Sequence, residues 1–175
     1  YNPFCIFNKK SLTINGGTYD DENIYNLSTS DIVVNGGTFN STTSAGSSIS
    51  STGDITITGG TFNASTLNSS YYDIYFDDNY QATFKVKADG NSALKFRVYL
   101  GSVINVEGNL PEGTDISFVC GSYGDHGIDG RYPVVSFDNT VTDSDIKNMM
   151  GMFTCENTDY EIVQGIQVPD ALWLE

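Results

Sequence analysis

Three stretches of the chain alternate apolar and polar residues and then run into the same closing motif. Ser11-Leu12-Thr13-Ile14-Asn15-Gly16-Gly17-Thr18-Tyr19-Asp20 aligns without gaps with Asp31-Ile32-Val33-Val34-Asn35-Gly36-Gly37-Thr38-Phe39-Asn40. Both align with Asp54-Ile55-Thr56-Ile57-Thr58-Gly59-Gly60-Thr61-Phe62-Asn63, at offsets of 20 and 23 residues. The pairs Leu12/Ile14, Ile32/Val34 and Ile55/Ile57 have period two, so each pair faces one side of a short strand. The glycine pairs Gly16/Gly17, Gly36/Gly37 and Gly59/Gly60 turn the chain where a Cβ would obstruct it. Tyr19, Phe39 and Phe62 then point inward from a second strand. A repeat this short holds no pair of helices with their loops. It fits one coil of a parallel β-solenoid, with coils stacked about 4.8 Å apart. Equivalent residues then form ladders, aromatic over aromatic and Asn15 over Asn35.

Beyond residue 70 the glycine motif fades but alternation continues. Tyr72–Phe76, Ala82–Lys87, Leu94–Leu100, Val103–Val106, Gly113–Phe118 and Tyr132–Phe137 read as strands. Asp143–Met150 reads as the one short helix, with Asp or Ser as its N-cap. Tyr160–Val163 and Ala171–Leu174 read as closing strands. The Ser/Thr-rich linkers Asn40–Ser51 and Asn63–Ser70 read as loops that project from one corner. The expected architecture is all-β: a right-handed parallel β-helix of seven or eight coils. Coils over residues 1–116 are followed by C-terminal coils and a cap over 117–175, in one structural domain.

Composition agrees and removes other classes. Of 175 residues only 17% are charged, yet acids outnumber bases 22 to 8 for a net charge of −14. The acids are 16 Asp against 6 Glu, and there are 18 Gly. Asp, Asn, Ser, Thr and Gly suit turns and disfavour helices, so much of the acidity follows from coil corners. An acidic chain is repelled by phosphate backbones, which argues against nucleic acid as a partner. No apolar run is long enough to span a membrane. The chain opens mid-pattern at Tyr1-Asn2-Pro3-Phe4, which reads as a piece of a longer protein. Cys5, Cys120 and Cys155 lack metal-type spacing. Three small buried thiols are the expected state, with a Cys120–Cys155 disulfide as the alternative.

Residues 11–63 resemble the Gly-Gly-Thr-Phe repeats of bacterial extracellular right-handed β-helix proteins of the pectin-lyase-like kind. Gly130-Arg131-Tyr132-Pro133-Val134 and Leu172-Trp173-Leu174 are similar to the closing strands of surface β-helices. One branch of these proteins binds polysaccharide without cleaving it. The resemblance implies a non-catalytic module of a secreted or cell-surface bacterial protein that binds polysaccharide or host glycan. The alternatives are a structural spacer of a surface adhesin, or a fragment of a polysaccharide lyase or hydrolase.

Candidate chemistry is thin. Tyr71, Tyr72, Tyr75 and Tyr80 cluster beside Asp73, and alternation sends Tyr75 to the face opposite Ile74 and Phe76. An exposed row of tyrosines is a platform for sugar rings, and neighbouring carboxylates bind their hydroxyls. Tyr123, His126 and Arg131 gather on a glycine-rich loop, a second candidate ligand site. A single histidine without a paired Ser or Cys motif excludes a recognisable triad or zinc site. Calcium is the one cofactor that the charge suggests. Asp77, Asp78 and Asn79 are its first candidate ligands, with Asp20-Asp21-Glu22 and Asp143-Ser144-Asp145 behind them. A lyase would pair Asp73, Asp77 and Asp78 with a base among Lys85, Lys87, Lys95 and Arg97. No catalytic residue is assigned.

Overall fold

The structure, a computed structural model, describes residues 4–20, 23–41, 47–64, 72–76, 82–87, 93–120, 132–157, 160–165 and 171–174. The first three coils each contain three short strands. These are β1 (Phe4–Asn8), β2 (Ser11–Ile14) and β3 (Thr18–Asp20), then β4 (Asn23–Asn26), β5 (Asp31–Val34) and β6 (Thr38–Ser41). The third set is β7 (Ile49–Ser51), β8 (Asp54–Ile57) and β9 (Thr61–Ala64). Among the described residues, later coils show two: β10 (Ile74–Phe76) with β11 (Phe84–Lys87), β12 (Lys95–Leu100) with β13 (Ile104–Glu107), and β14 (Asp115–Cys120) with β15 (Tyr132–Phe137). A helix, α1 (Asp143–Met149), and a 3-10 turn precede β16 (Phe153–Cys155), β17 (Ile162–Gln164) and β18 (Ala171–Leu174).

These strands stack into a parallel β-solenoid with three sheets. Sheet A has the order β1-β4-β7-β10-β12-β14-β16, and sheet C has β3-β6-β9. Sheet B runs β2-β5-β8-β11-β13-β15 in parallel, then adds β18 and β17 antiparallel. Register is set by the alternation the sequence shows, because a slip of one residue would expose every inward side chain. Sheet B thus carries two six-rung apolar ladders. Leu12, Ile32, Ile55, Phe84, Ile104 and Val135 form one; Ile14, Val34, Ile57, Val86, Val106 and Phe137 form the other. Inside sheet A, Ile24, Ile49, Ile74, Val98 and Phe118 continue the core, all fully buried.

The glycine pairs do two different jobs. The second glycine, at Gly17, Gly37 and Gly60, has φ of 104°, 113° and 113°, a conformation L side chains rarely adopt. The first is needed for room where another coil lies beneath it: a Cβ on Gly16 would meet nothing within 4 Å, but on Gly59 it would sit 2.5 Å from the Asn35 carbonyl oxygen. The turned chain aligns the aromatics, so Tyr19, Phe39 and Phe62 stack at 4.9 Å centroid spacing. Polar ladders run along the corners. Asn35 Nδ2 donates to Asn15 Oδ1 at 2.8 Å, and Thr58 Oγ1 to Asn35 Oδ1 at 2.8 Å. Asn63 Nδ2 donates to Asn40 Oδ1 at 2.8 Å, and Asn40 Nδ2 to Asp20 Oδ1 at 2.6 Å.

Three expectations are corrected. The strand β7 lies inside the stretch Asn40–Ser51 that reads as a loop, and β1 and β4 were not foreseen. Their alternation is hidden because inward positions Asn8, Asn26 and Ser51 are polar. These three are buried and bonded to one another: Asn8 Nδ2 donates to Asn26 Oδ1 at 2.6 Å, and Asn26 Nδ2 to Ser51 Oγ at 2.9 Å. The helix is capped by Thr142, not by Asp or Ser, in a capping box with Asp145. Cys120 and Cys155 are free thiols, as the favoured of the two readings expects, but half-buried rather than buried.

Candidate functional site

The outward face of sheet A carries the aromatic residues. One side-chain column climbs it in register: Phe7, Tyr25, Ser50, Tyr75, Tyr99 and Val119. Adjacent aromatics in the column are in face-to-face contact. Phe7 and Tyr25 stack with centroids 5.5 Å apart and planes 9° from parallel. Tyr75 and Tyr99 stack more closely, at 4.6 Å and 6°. The second spacing is close to the rung separation of a β-sheet, so these rings lie nearly across the solenoid axis. Phe7 is 51% exposed, and Tyr25, Tyr75 and Tyr99 are half-buried.

Tyr75 lies opposite Ile74 and Phe76, as alternation requires, and those two are fully buried. Tyr72 is half-buried and meets Tyr99 edge-on, with centroids 5.5 Å apart at 63°. Asp73 is placed differently. It is 4% exposed, and its Oδ2 accepts the backbone N–H of Arg97 at 2.7 Å. It braces neighbouring strands and does not present a carboxylate to solvent. Tyr71, Tyr80, Tyr123, His126, Arg131, Asp77, Asp78 and Asn79 lie outside the described residues.

The lyase alternative makes Arg97 a candidate base; the structure gives it a different setting. Its guanidinium stands 4.6 Å above the Tyr72 ring and forms a two-pronged pair with Glu156. Nε–Oε1 is 2.6 Å and Nη2–Oε2 is 2.5 Å. The fork matches a carboxylate geometrically, which makes this the strong form of ion pair. The Glu156 carboxyl is held below its ordinary value, first by the hydrogen bond from Arg97, and Arg97 is raised by the same bond. Both groups therefore stay ionised, and the guanidinium fixes Tyr72 beside the Tyr75–Tyr99 stack. Tyr72, Tyr75 and Tyr99 thus form a corner of three rings, with a charged pair along its edge. The partners Tyr99 and Glu156 were not singled out from sequence; the signal for Tyr99 was its equivalent outward position one coil after Tyr75.

Sheet B offers a contrasting surface. A recess of about 260 Å³ opens over its outer face, lined by Thr83, Lys85, Asn105, Glu107, Ser136 and Asp138 among others. Its groups are mostly committed. Lys85 Nζ sits 2.7 Å from Glu107 Oε1, and Lys87 Nζ 3.5 Å from Glu107 Oε2. Ser136 Oγ donates to Asn105 Oδ1 at 2.7 Å. Glu107 is held below the ordinary glutamate value, chiefly by Lys85, so it is ionised and poorly suited to act as a general acid.

Of the acid runs weighed for calcium, Asp145 is engaged in the cap of α1, accepting from Thr142 Oγ1 at 2.6 Å. Among the described residues no group of three or more His, Cys, Asp or Glu side chains gathers as metal ligands would. Among them, too, no helix is long and apolar enough to cross a membrane. The chain matches no family model, no curated protein and no solved structure.

Proposed function

We propose that this β-solenoid is a non-catalytic module of a secreted or cell-surface bacterial protein, and that it binds polysaccharide or host glycan on the outer face of sheet A. The observation that carries the reading is the three-ring corner of Tyr72, Tyr75 and Tyr99. A rigid corner of tyrosine rings offers apolar ring surface to the C–H groups of sugars at little entropic cost. The Arg97–Glu156 pair beside them supplies donors and acceptors for hydroxyls. The scaffold suits display, because backbone bonds, apolar ladders and corner ladders hold each strand in fixed register. A glycan array tests the reading: the chain captures a defined set of glycans, and Tyr75→Ala with Tyr99→Ala removes the signal. Equal capture by that variant overturns it.

The sheet B recess favours a second reading, a polysaccharide-active enzyme or its remnant, since Lys85, Glu107 and Asp138 line one hollow. Release of new reducing ends from a captured polysaccharide, lost in Lys85→Ala, would establish it. The ion pairing of Lys85 and Glu107 weighs against it.

A further inference from the structure

The chain has three cysteines, and stacking the coils sorts them. Cys5 lies in β1, at one end of sheet A, and Cys120 closes β14, five rungs along the same sheet. Five rungs span roughly 24 Å, far beyond the reach of a disulfide. Cys155 closes β16, the rung next to β14. It pairs in register with Phe118, so Cys155 and Cys120 share the inward parity of that buried ring, and both pack against the core. The two side chains meet there. The Cys120 thiol hydrogen-bonds to the Cys155 sulfur, and Cys155 Sγ lies 3.7 Å from Asn157 Oδ1. The same oxygen accepts the Cys120 backbone N–H at 2.9 Å. One carboxamide thus gathers both cysteines at the strand ends. Sulfurs already in hydrogen-bond contact can reach covalent distance chiefly by side-chain rotation.

The pair also sits where a covalent link has most effect. β16 is three residues long and ends sheet A beside β14, and short strands at an edge open first. Between the two cysteines run β15 and α1, whose Ile146 and Met149 are buried in the core. A bond from Cys120 to Cys155 closes residues 121–154 into one loop, which restricts the unfolded chain far more than the folded one. Glu156, next in sequence to Cys155, holds Arg97 over the Tyr72 ring, so what secures β16 also secures that clamp.

We propose that Cys120 and Cys155 form a thiol oxidation site, at which exchange with an external disulfide staples the last rung of sheet A to the coil beneath it. The joined and unjoined cysteines are then two states of one site. The thiolate of one cysteine attacks a sulfur of the external disulfide, forming a mixed disulfide and displacing the other half as a thiolate. The second cysteine gives its proton to solvent and attacks the protein sulfur of that mixed disulfide. The Cys120–Cys155 bond forms and the second external thiolate leaves. The protein loses two electrons, and the external disulfide is reduced to two thiols. Cys5, too distant to take part, keeps its thiol. The inference stands independently of glycan binding.

The test is titration of the full chain against graded ratios of reduced to oxidised glutathione, with remaining thiols alkylated and mapped by mass spectrometry. Cys120 and Cys155 are expected to become protected together, in one two-electron step, with their peptides linked and Cys5 still alkylated. The oxidised chain is expected to melt roughly 5 °C or more above the chain reduced by dithiothreitol. Amide exchange in β16 is expected to slow by roughly tenfold or more. Cys120→Ser and Cys155→Ser each lose both effects, whereas Cys5→Ser keeps them. Should a serine variant fail to fold, the wild-type chain with and without dithiothreitol decides the same question. Three thiols that stay reduced throughout, separate glutathione adducts on the two cysteines, or a link that includes Cys5 overturn the proposal. So does a linked chain that melts no higher than the reduced one, because the bond then staples nothing.

Discussion

Tyr75 and Tyr99 lie one coil apart in sequence and face to face in space, their centroids separated by 4.6 Å with planes 6° from parallel. The contact exists because parallel stacking puts residue 75 directly under residue 99. An aromatic pair of this kind contributes about 0.5–1.5 kcal/mol beyond the area it buries. A double-mutant cycle with Tyr75→Ala and Tyr99→Ala, followed by urea denaturation, is expected to show a coupling of about that size. A coupling near zero would mean that the rings do not stack in solution.

Arg97 and Glu156 predict an acid dependence. The folded Glu156 carboxyl titrates below the ordinary glutamate value of 4.5, and the Arg97 hydrogen bond is the largest cause. A group whose value is depressed on folding stabilises the fold fully above its unfolded value. That contribution is lost as pH falls through the folded value. Glu156→Gln is therefore expected to cost stability at pH 7, on the order of 1 kcal/mol for a partly exposed pair. The difference from wild type is expected to shrink steadily below pH 4.5. Denaturation midpoints of both proteins at pH 7, 4.5 and 3 check this, and a gap that widens in acid contradicts it.

The first glycine of each motif predicts a gradient along the solenoid. A Cβ at Gly16 meets nothing within 4 Å, whereas at Gly59 it would lie 2.5 Å from a backbone oxygen. Gly16→Ala is expected to be nearly neutral. Gly59→Ala is expected to destabilise by about 2–4 kcal/mol, because backbone must move to admit the methyl group. Thermal melts of the two variants, measured side by side, decide the matter.

Asn26 is the centre of the buried polar ladder. It accepts from Asn8 and donates to Ser51 Oγ at 2.9 Å and to the Asp54 carbonyl at 3.2 Å. Asn26→Ala leaves those partners buried and unpaired, at an expected cost of about 2–4 kcal/mol. Hydrogen exchange is expected to rise first at β1, β4 and β7. Protection unchanged in those strands would show that the ladder is not what holds them.

The parts that were legible in the sequence are those where one side chain type repeats at one position. Sheets B and C announced themselves through Leu12/Ile14, Ile32/Val34 and Ile55/Ile57 and through the Gly-Gly-Thr-aromatic motif. The early strands of sheet A did not, because Asn8, Asn26 and Ser51 turn inward where alternation expects apolar residues. Their burial is tolerated only because each bonds the next rung, and that is visible only once the coils are stacked. Tyr75 was placed on the outer face correctly, since Ile74 and Phe76 fix the parity. Its partner Tyr99 and the clamp from Arg97 to Glu156 could not be paired from one chain without knowing the length of each coil. Asp73 illustrates the opposite failure: its neighbours made it look like a sugar ligand, but the Arg97 backbone claims its carboxylate.

The most direct test of the account is to map where a bound glycan sits. The chain is isotopically labelled and titrated with an oligosaccharide it captures, and backbone amide resonances are followed by NMR. The account predicts shifts concentrated on β10 and β12 around Tyr75 and Tyr99, with Lys85, Asn105 and Glu107 on sheet B unmoved. Shifts centred on the sheet B recess, with Tyr75 and Tyr99 unmoved, would contradict it.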